Sequence, residues 1–413
     1  MLSSFIIGLS GMKANSTTLS VVGNNLANLN TTGYKGSVVS FQDLLGATLT
    51  RTNGAGNPMQ PGMGVSLAGV SPVFSQGGLQ TTSKSTDVAI LGNGFFVVNN
   101  GQQNYFTRAG DFSLDSQGYL MTQQGMYVQG YTITNNTTNA TGNLGNLQLS
   151  PGTCLSPKAT SSVALDSNLN SNAAVGDKFS TSIDVYDSLG KAHTVTYTFT
   201  KGAANAWSYS ITVPGADVGQ TDAVEISTGS LAFNSAGQLT SPSADVTGLQ
   251  ITGFANGAAD LTFTWQIENE AGASRLTQFN NPSSTSQAVQ NGYSFGTLTG
   301  FQVDQNGYVL GTFSNGQVQI LAQLALANFN NPQGLIREGQ NYFVASPFSG
   351  EPIIGAPGTA GRGALVGGAL ELSNVDIAQE FTSMILAQRG YQASSRVITT
   401  SDEIIQEALT LKR

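Results

Sequence analysis

Charge is what this chain has least of: 10% of its 413 residues are Asp, Glu, Lys or Arg, against ~25% in an ordinary globular protein. The 16 basic residues are scattered and the formal net charge is −8, so no clustered Lys/Arg face is available for nucleic acid. The single cysteine, Cys154, allows no internal disulfide and excludes a disulfide-stapled scaffold. No run of 18 apolar residues occurs, so no membrane-spanning helix is expected. The stretch Met1 to Leu9 contains Phe5-Ile6-Ile7, but it lacks a positive n-region, a long apolar core and a small-residue cleavage site. A cleaved signal peptide is therefore not expected, and export would follow a route that leaves the N-terminus intact.

In place of charge the chain carries Asn, Gln, Ser, Thr and 50 glycines. A polar, nearly uncharged surface can pack on copies of itself without strong like-charge repulsion, a property that carbohydrate-binding and adhesin modules share. At ~150 residues per domain the length suggests roughly three domains, with enough apolar content to bury a core without metal or disulfides.

The two ends differ in kind from the middle. Residues 2–29 read as a helix in which Phe5, Met12, Leu19 and Leu26 recur every seven positions, with Leu2 and Leu9 interleaved. Ser16 and Gly23 interrupt that second row, and Gly23 costs about 1 kcal/mol inside a helix. Residues 375–411 read as a second helix, with Ile377, Met384, Tyr391, Ile398 and Ile405 at the same spacing. Its alternate positions run from Phe381 to Leu409 through polar Gln388, Ser395 and Asp402, and both charge signs flank it. A lone apolar stripe usually packs on its own globular core. Here two heptad helices stand at opposite ends with no central helix to receive them, so they are expected to pair with each other and with copies from other subunits.

The middle reads as β structure. Ala192–Thr200 alternates, with Val195, Tyr197 and Phe199 on one face and threonines on the other. Turns are marked by Asp115-Ser116-Gln117-Gly118, Asp187-Ser188-Leu189-Gly190 and Asp304-Gln305-Asn306-Gly307. FSLDSQGYL at 112–120 and FQVDQNGYV at 301–309 are one recurring phrase, loosely echoed by LAFNSAGQL at 231–239. The two copies flank the middle region, which suggests a discontinuous inner β domain (71–150 plus 288–354) with an outer β domain (151–287) inserted. Segments 31–70 and 355–374, containing stretches rich in Gly and Pro, read as extended connectors to a terminal helical domain (1–30 plus 375–413). The expected fold class is mainly β with α-helical termini: two β domains, the outer inserted into the inner, and a terminal N/C helix coiled-coil pair.

No constellation for catalysis, cofactor or metal emerges. His193 shares a strand face with Val195 and has no triad partners nearby, so a packed or rim histidine is expected. Cys154 lacks a partnering histidine or second cysteine. Asp187 opens a turn and Asp184 points to a strand face, so the two do not read as paired acids. Gly92-Asn93-Gly94-Phe95-Phe96 holds only G-x-G and no following helix, a weak phosphate-loop signal. The Asn-x-Thr tripeptides at Asn135, Asn136 and Asn139 are frequent by chance in Asn/Thr-rich loops.

The phrase ANSTTLSVVGNNLANLNTTGYKGSVVSFQDLL at 14–45 closely resembles the signature of flagellar rod and hook axial proteins. Its core is Gly23, Asn24, Asn25 and Asn28, followed by Asn30, Gly33 and Tyr34. The segment from Ser373, Asn374 and Asp376 to Arg413 resembles the matching end signature, and residues 74–98 resemble the same family. Length and the inserted middle, with IDVYDSLGKAHTVTYTF at 183–199, favour the hook type over a shorter, stiff distal rod type.

The resemblance implies a non-enzymatic subunit of a bendable extracellular tube. It implies export through the flagellar type III apparatus, and as partners further copies of the chain together with rod, hook-cap and hook–filament junction proteins. The Asn, Ser and Asp motif positions would serve helix ends and intersubunit hydrogen bonds, or only cap helices within one subunit. A secreted carbohydrate-binding or adhesin module is the alternative of a different class, and it leaves the heptad helices without a purpose.

Overall fold

The computed structural model describes residues 2–45, 49–52, 58–59, 62–134, 137–138, 144–150, 152–269 and 272–410. Asn135, Asn136 and Asn139 lie outside the described residues. Two helices bracket the chain, α1 at Leu2–Ala27 and α2 at Ile377–Thr410, and strands fill most of what lies between. Among the described residues no helix is long and apolar enough to cross a membrane. Helix α2 starts where Asp376 caps it: Oδ1 accepts the N–H groups of Ala378 at 2.8 Å and Gln379 at 3.1 Å.

The chain forms two compact units, the first from Met1–Pro151, Gly300–Gly311 and Gln319–Arg413, the second from Gly152–Thr299 and Thr312–Val318. In the first, strands Phe95–Asn99, Asn104–Thr107, Tyr127–Thr134 and Tyr342–Val344 pair antiparallel. The run Phe95-Phe96-Val97-Val98 is buried on both faces, Phe95 and Val97 in one cluster and Phe96 and Val98 in another. That is why these residues read as a continuous apolar run. Two short pairings bring the outgoing and returning chain together, Val88–Leu91 with Ala364–Gly367 and Leu79–Thr81 with Ala369–Glu371.

The second unit is a pair of sheets over one core. An antiparallel meander runs through Lys178–Tyr186, Ala192–Lys201, Ala206–Val213, Val224–Phe233 and Leu239–Ser241. Val195, Tyr197 and Phe199 point inward from it and meet Phe263 and Trp265 of the other sheet. Alternation in the 192–201 strand thus reports a half-buried sheet.

The recurring phrases share one local structure. Asp115 Oδ1 accepts the N–H groups of Gln117 and Tyr119, and Asp304 Oδ1 those of Asn306 and Tyr308. Asp187 and Asn234 do the same with residues two and four positions on. The glycine of each turn has positive φ, 82° at Gly118 and 78° at Gly307. The pattern is therefore a turn whose first side chain satisfies two backbone donors and whose fourth residue needs the left-handed region.

Two boundaries differ from the sequence reading. The expected domain edge at 287/288 falls inside strand Ser284–Gln290, which pairs antiparallel with Ser162–Asn168 and so belongs to the second unit. The segments read as extended connectors also carry ladders. Strand Ser37–Leu45 pairs with Gly62–Pro72, and the strands at 364–371 pair as described above. Glycine content gave no sign of these ladders because the bonding groups belong to the backbone and no partner is local in sequence.

Candidate assembly surface

Helices α1 and α2 run antiparallel, and small residues bring them close. A Cβ added at Gly8 would lie 3.0 Å from Ile398 Cγ1, and one at Gly11 2.8 Å from Ser394 Oγ. One at Gly390 would lie 2.5 Å from Asn15 Oδ1. Val22, Ala387 and Ser401 complete the buried line. The glycines leave room for side chains of the facing helix, Ile398 and Val397 against Gly8 and Asn15 against Gly390.

Of the expected apolar seam, Ile398 packs against Gly8 across the pair, while several other members face outward. Phe5, Leu9, Ile377, Phe381 and Tyr391 are exposed, Leu9 by 50%. Met12, Leu19, Leu26, Met384, Ile398 and Ile405 are half-buried. The side chains of Leu2 and Leu409 lie outside the described residues. Ile6, Ile7, Ile385, Leu386 and Ile404 extend the exposed apolar faces, Leu386 by 67%.

The motif residues sit where the helices leave the β structure. Asn25 is buried and fully used: Nδ2 donates to Ser37 O and Glu380 Oε1, and Oδ1 accepts from Ser37 N–H and the Tyr34 hydroxyl. An amide has no further hydrogen-bonding capacity, so Asn25 joins α1, the following strand and α2 within one chain. Asn24 Nδ2 donates to the Tyr34 hydroxyl, and Asn28 Nδ2 to Asn24 O. Asn374 Oδ1 accepts from Gly36 N–H while its Nδ2 reaches Val73 O and Ser75. Val375 N–H points to Ser373 Oγ at a long 3.4 Å. Gly33, at φ 66°, faces the backbone of Arg108 and Ala109. Asn30 is exposed, and a Cβ at Gly23 would meet open space.

Sequence reasoning missed the charged cluster under this junction. Lys35 and Arg108 both pair with Glu371, and all three are buried. Burial lowers the pKa of Lys35 and Arg108, and the Glu371 carboxylate opposes the shift in each case. The available signal was rarity, because a lysine after Gly33-Tyr34 is conspicuous in a chain with so little charge.

In the second unit, His193 is buried with Nε2 3.1 Å from Asp187 Oδ2. A carboxylate only accepts, so Nε2–H is the donor. Nδ1 lies 3.1 Å from Asp217 Oδ2 without hydrogen-bond alignment, and the ring packs on Phe254 at 4.4 Å. Asp184 is exposed and accepts from Thr194 Oγ1, so it takes no part in this cluster. Cys154 is exposed. Among the described residues no three His, Cys, Asp or Glu side chains are placed to hold a metal ion.

Family profiles match four stretches of the chain. They are the flagella basal body rod protein at 6–35, the flagellar hook protein FlgE/F/G D1 domain at 89–169, the flagellar basal body protein FlaE D2 domain at 158–293 and the flagellar basal body rod FlgEFG protein C-terminal at 366–411. Flagellar hook protein FlgE of Treponema pallidum is 37% identical, with 100% of both chains covered. That of Salmonella typhimurium is 36% identical over 99% of this chain and 100% of its own. The crystal structure of Helicobacter pylori flagellar hook protein FlgE2 shares the fold at a TM-score of 0.55. It has 16% identity and covers 72% of this chain and 99% of that one. With relatives matched along its whole length, and with terminal helices bracketing a β structure interrupted by a second β unit, the chain belongs to the flagellar hook protein family and is a structural hook subunit.

Proposed function

We propose that the chain self-assembles head to tail into a helical tube that bends while it carries torque. The exposed apolar faces of α1 and α2 support this reading above all, because Leu9, Phe381 and Leu386 lie in water in the single chain. Burial gains roughly 25 cal/mol per Å2 of apolar surface, and copies of the same helices offer matching faces. A contact that repeats without closing builds an open helical polymer. The helices form the inner layer of the tube, with β structure around it. Low charge keeps β–β contacts between copies weak enough to shift as the tube bends.

The chain is exported through the flagellar type III apparatus. It polymerises between rod and filament with cap and junction proteins as neighbours.

Removing about thirty residues from each end tests the reading. The truncated chain is expected to keep its β signal by circular dichroism yet form no polymer in electron micrographs at concentrations where the full chain does. Polymers of normal form from the truncated chain would overturn it.

A further inference from the structure

The side chain of Phe348 stands out from the first unit with 82% of its surface exposed, yet the loop that carries it is tightly tied. Ser346 and Ser349, on either side, are buried. Ser346 N–H donates to Ser349 Oγ at 2.9 Å, Ser349 Oγ to Ser346 O at 2.9 Å, and Ser346 Oγ to Gly334 O at 2.5 Å. Phe348 itself donates N–H to Ser346 Oγ and accepts from Asn331 Nδ2. An aromatic ring held in water on a pre-ordered loop loses little conformational freedom on binding, which is how interface anchors gain affinity.

The same unit carries a cavity of about 300 Å3 lined by Gln302, Val303, Leu310, Leu365 and Val366, among others. It is at the small end of ligand-pocket sizes, and its lining mixes the apolar Val303, Leu310, Leu365 and Val366 with the polar Gln302, Asp304 and Gln305, which leaves room for one aromatic side chain. The hydrogen-bonded strand path runs from Gly296–Val303 and Tyr308–Phe313 through Val318–Leu324, Tyr127–Thr134, Phe95–Asn99 and Asn104–Thr107 to Tyr342–Val344. Socket residues 302 and 310 sit on the first two of these strands, 365 and 366 sit on the strand Ala364–Gly367 outside this path, and Phe348 follows Tyr342–Val344. Knob and socket are thus different surfaces of the unit.

We propose that Phe348 of one copy seats in the Gln302–Leu310–Val366 socket of the next. This rests on the self-assembly reading above and specifies one of its contacts. A ring buries ~150–250 Å2, far below the ~1,200 Å2 of a stable free-standing interface. A foreign partner could not be held by this contact alone, whereas a polymer repeats it at every subunit beside the helix contacts. Because knob and socket are different surfaces, the contact is heterologous and does not close on itself.

The test uses the full chain with Phe348→Cys and Gln302→Cys in a Cys154→Ser background, polymerised and then mildly oxidised. A ladder of disulfide-linked multimers that requires both cysteines is expected. Polymers without that ladder would overturn the contact and leave self-assembly standing. Absence of polymer from the unsubstituted chain would overturn both. Phe348→Ala, on an exposed ring, is expected to fold normally and raise the critical concentration about tenfold or more, as loss of an anchor does. An unchanged critical concentration would also overturn the contact.

Discussion

The ammonium of Lys35 lies 2.6 Å from Oε1 of Glu371, a residue 336 positions away, and neither side chain is exposed. The carboxylate also takes Gly77 N–H at 2.9 Å and Arg108 Nη1 at 3.4 Å, and Lys35 donates again to Ser75 O. One anion thus holds two cations and a backbone amide where the loop after α1 meets the strand before α2. Removing the anion leaves two buried cations facing each other. Glu371→Ala is expected to destabilise the first unit by about 3–5 kcal/mol, read as a lower denaturant midpoint in hydrogen exchange of strands 95–107. Lys35→Met is expected to cost less, because Arg108 still pairs with the carboxylate. A Glu371→Ala midpoint within error of the parent would show that the cluster does not constrain the junction.

Gly33 sits at φ 66°, and an added Cβ would lie 2.5 Å from Ala109 N and 2.6 Å from Arg108 C. Both are backbone atoms and cannot swing away. Gly33→Ala therefore adds a steric clash to the ~1–2 kcal/mol cost of a left-handed L-residue. Gly125, at φ 84° with nothing near its Cβ position, isolates the conformational part. Thermal melts are expected to show Gly33→Ala clearly less stable than Gly125→Ala. Equal melting temperatures would contradict the close approach.

The glycines of the helix pair should respond in opposite directions. Gly390→Leu places a branched side chain against Asn15 and is expected to separate α1 from α2, with faster amide exchange in both helices. Gly23 faces open space, so Gly23→Ala is expected to strengthen α1 by about 1 kcal/mol or slightly less. If both substitutions slowed exchange, the small-residue contact would be wrong.

What the sequence made legible follows local physics. Alternation exposed the strand of Val195, Tyr197 and Phe199, and the Asp-x-x-Gly phrases exposed turns that the structure builds in one way at 115, 187 and 304. The heptad rows located both helices to within two residues of their ends. The rows revealed only part of what meets: Ile398 belongs to one, but its partner Gly8, and likewise Gly11 and Gly390, carry no side chain for a pattern to detect. Long-range pairings were equally silent. Nothing local to Lys35 announces Glu371, and nothing local to His193 announces Asp217, which follows the next strand, Ala206–Val213.

That His193 cluster sets how the second unit should respond to acid. Burial pushes the carboxyls of Asp187 and Asp217 up, but their partners outweigh it. For Asp187 these are Asn256, His193 and the N–H groups of Lys191 and Leu189; for Asp217 they are Lys191 and His193. Both carboxyls therefore titrate below the ordinary aspartate value near ~3.9. A carboxyl depressed in the folded state adds stability that is fully present above the unfolded value and is lost as pH falls through the folded one. Asp111 of the first unit has the opposite sign: burial and the neighbouring Asp87 raise its carboxyl despite a backbone hydrogen bond and Lys84. Protonation at Asp111 thus favours the folded state as pH falls. Acidification from about pH 5 to pH 3 is accordingly expected to lower the denaturant midpoint of the second unit through Asp187 and Asp217. The double variant Asp187→Asn, Asp217→Asn should be less stable at neutral pH and show a flatter midpoint-against-pH curve. A variant curve parallel to the parent's would show that these two carboxylates do not carry the acid response.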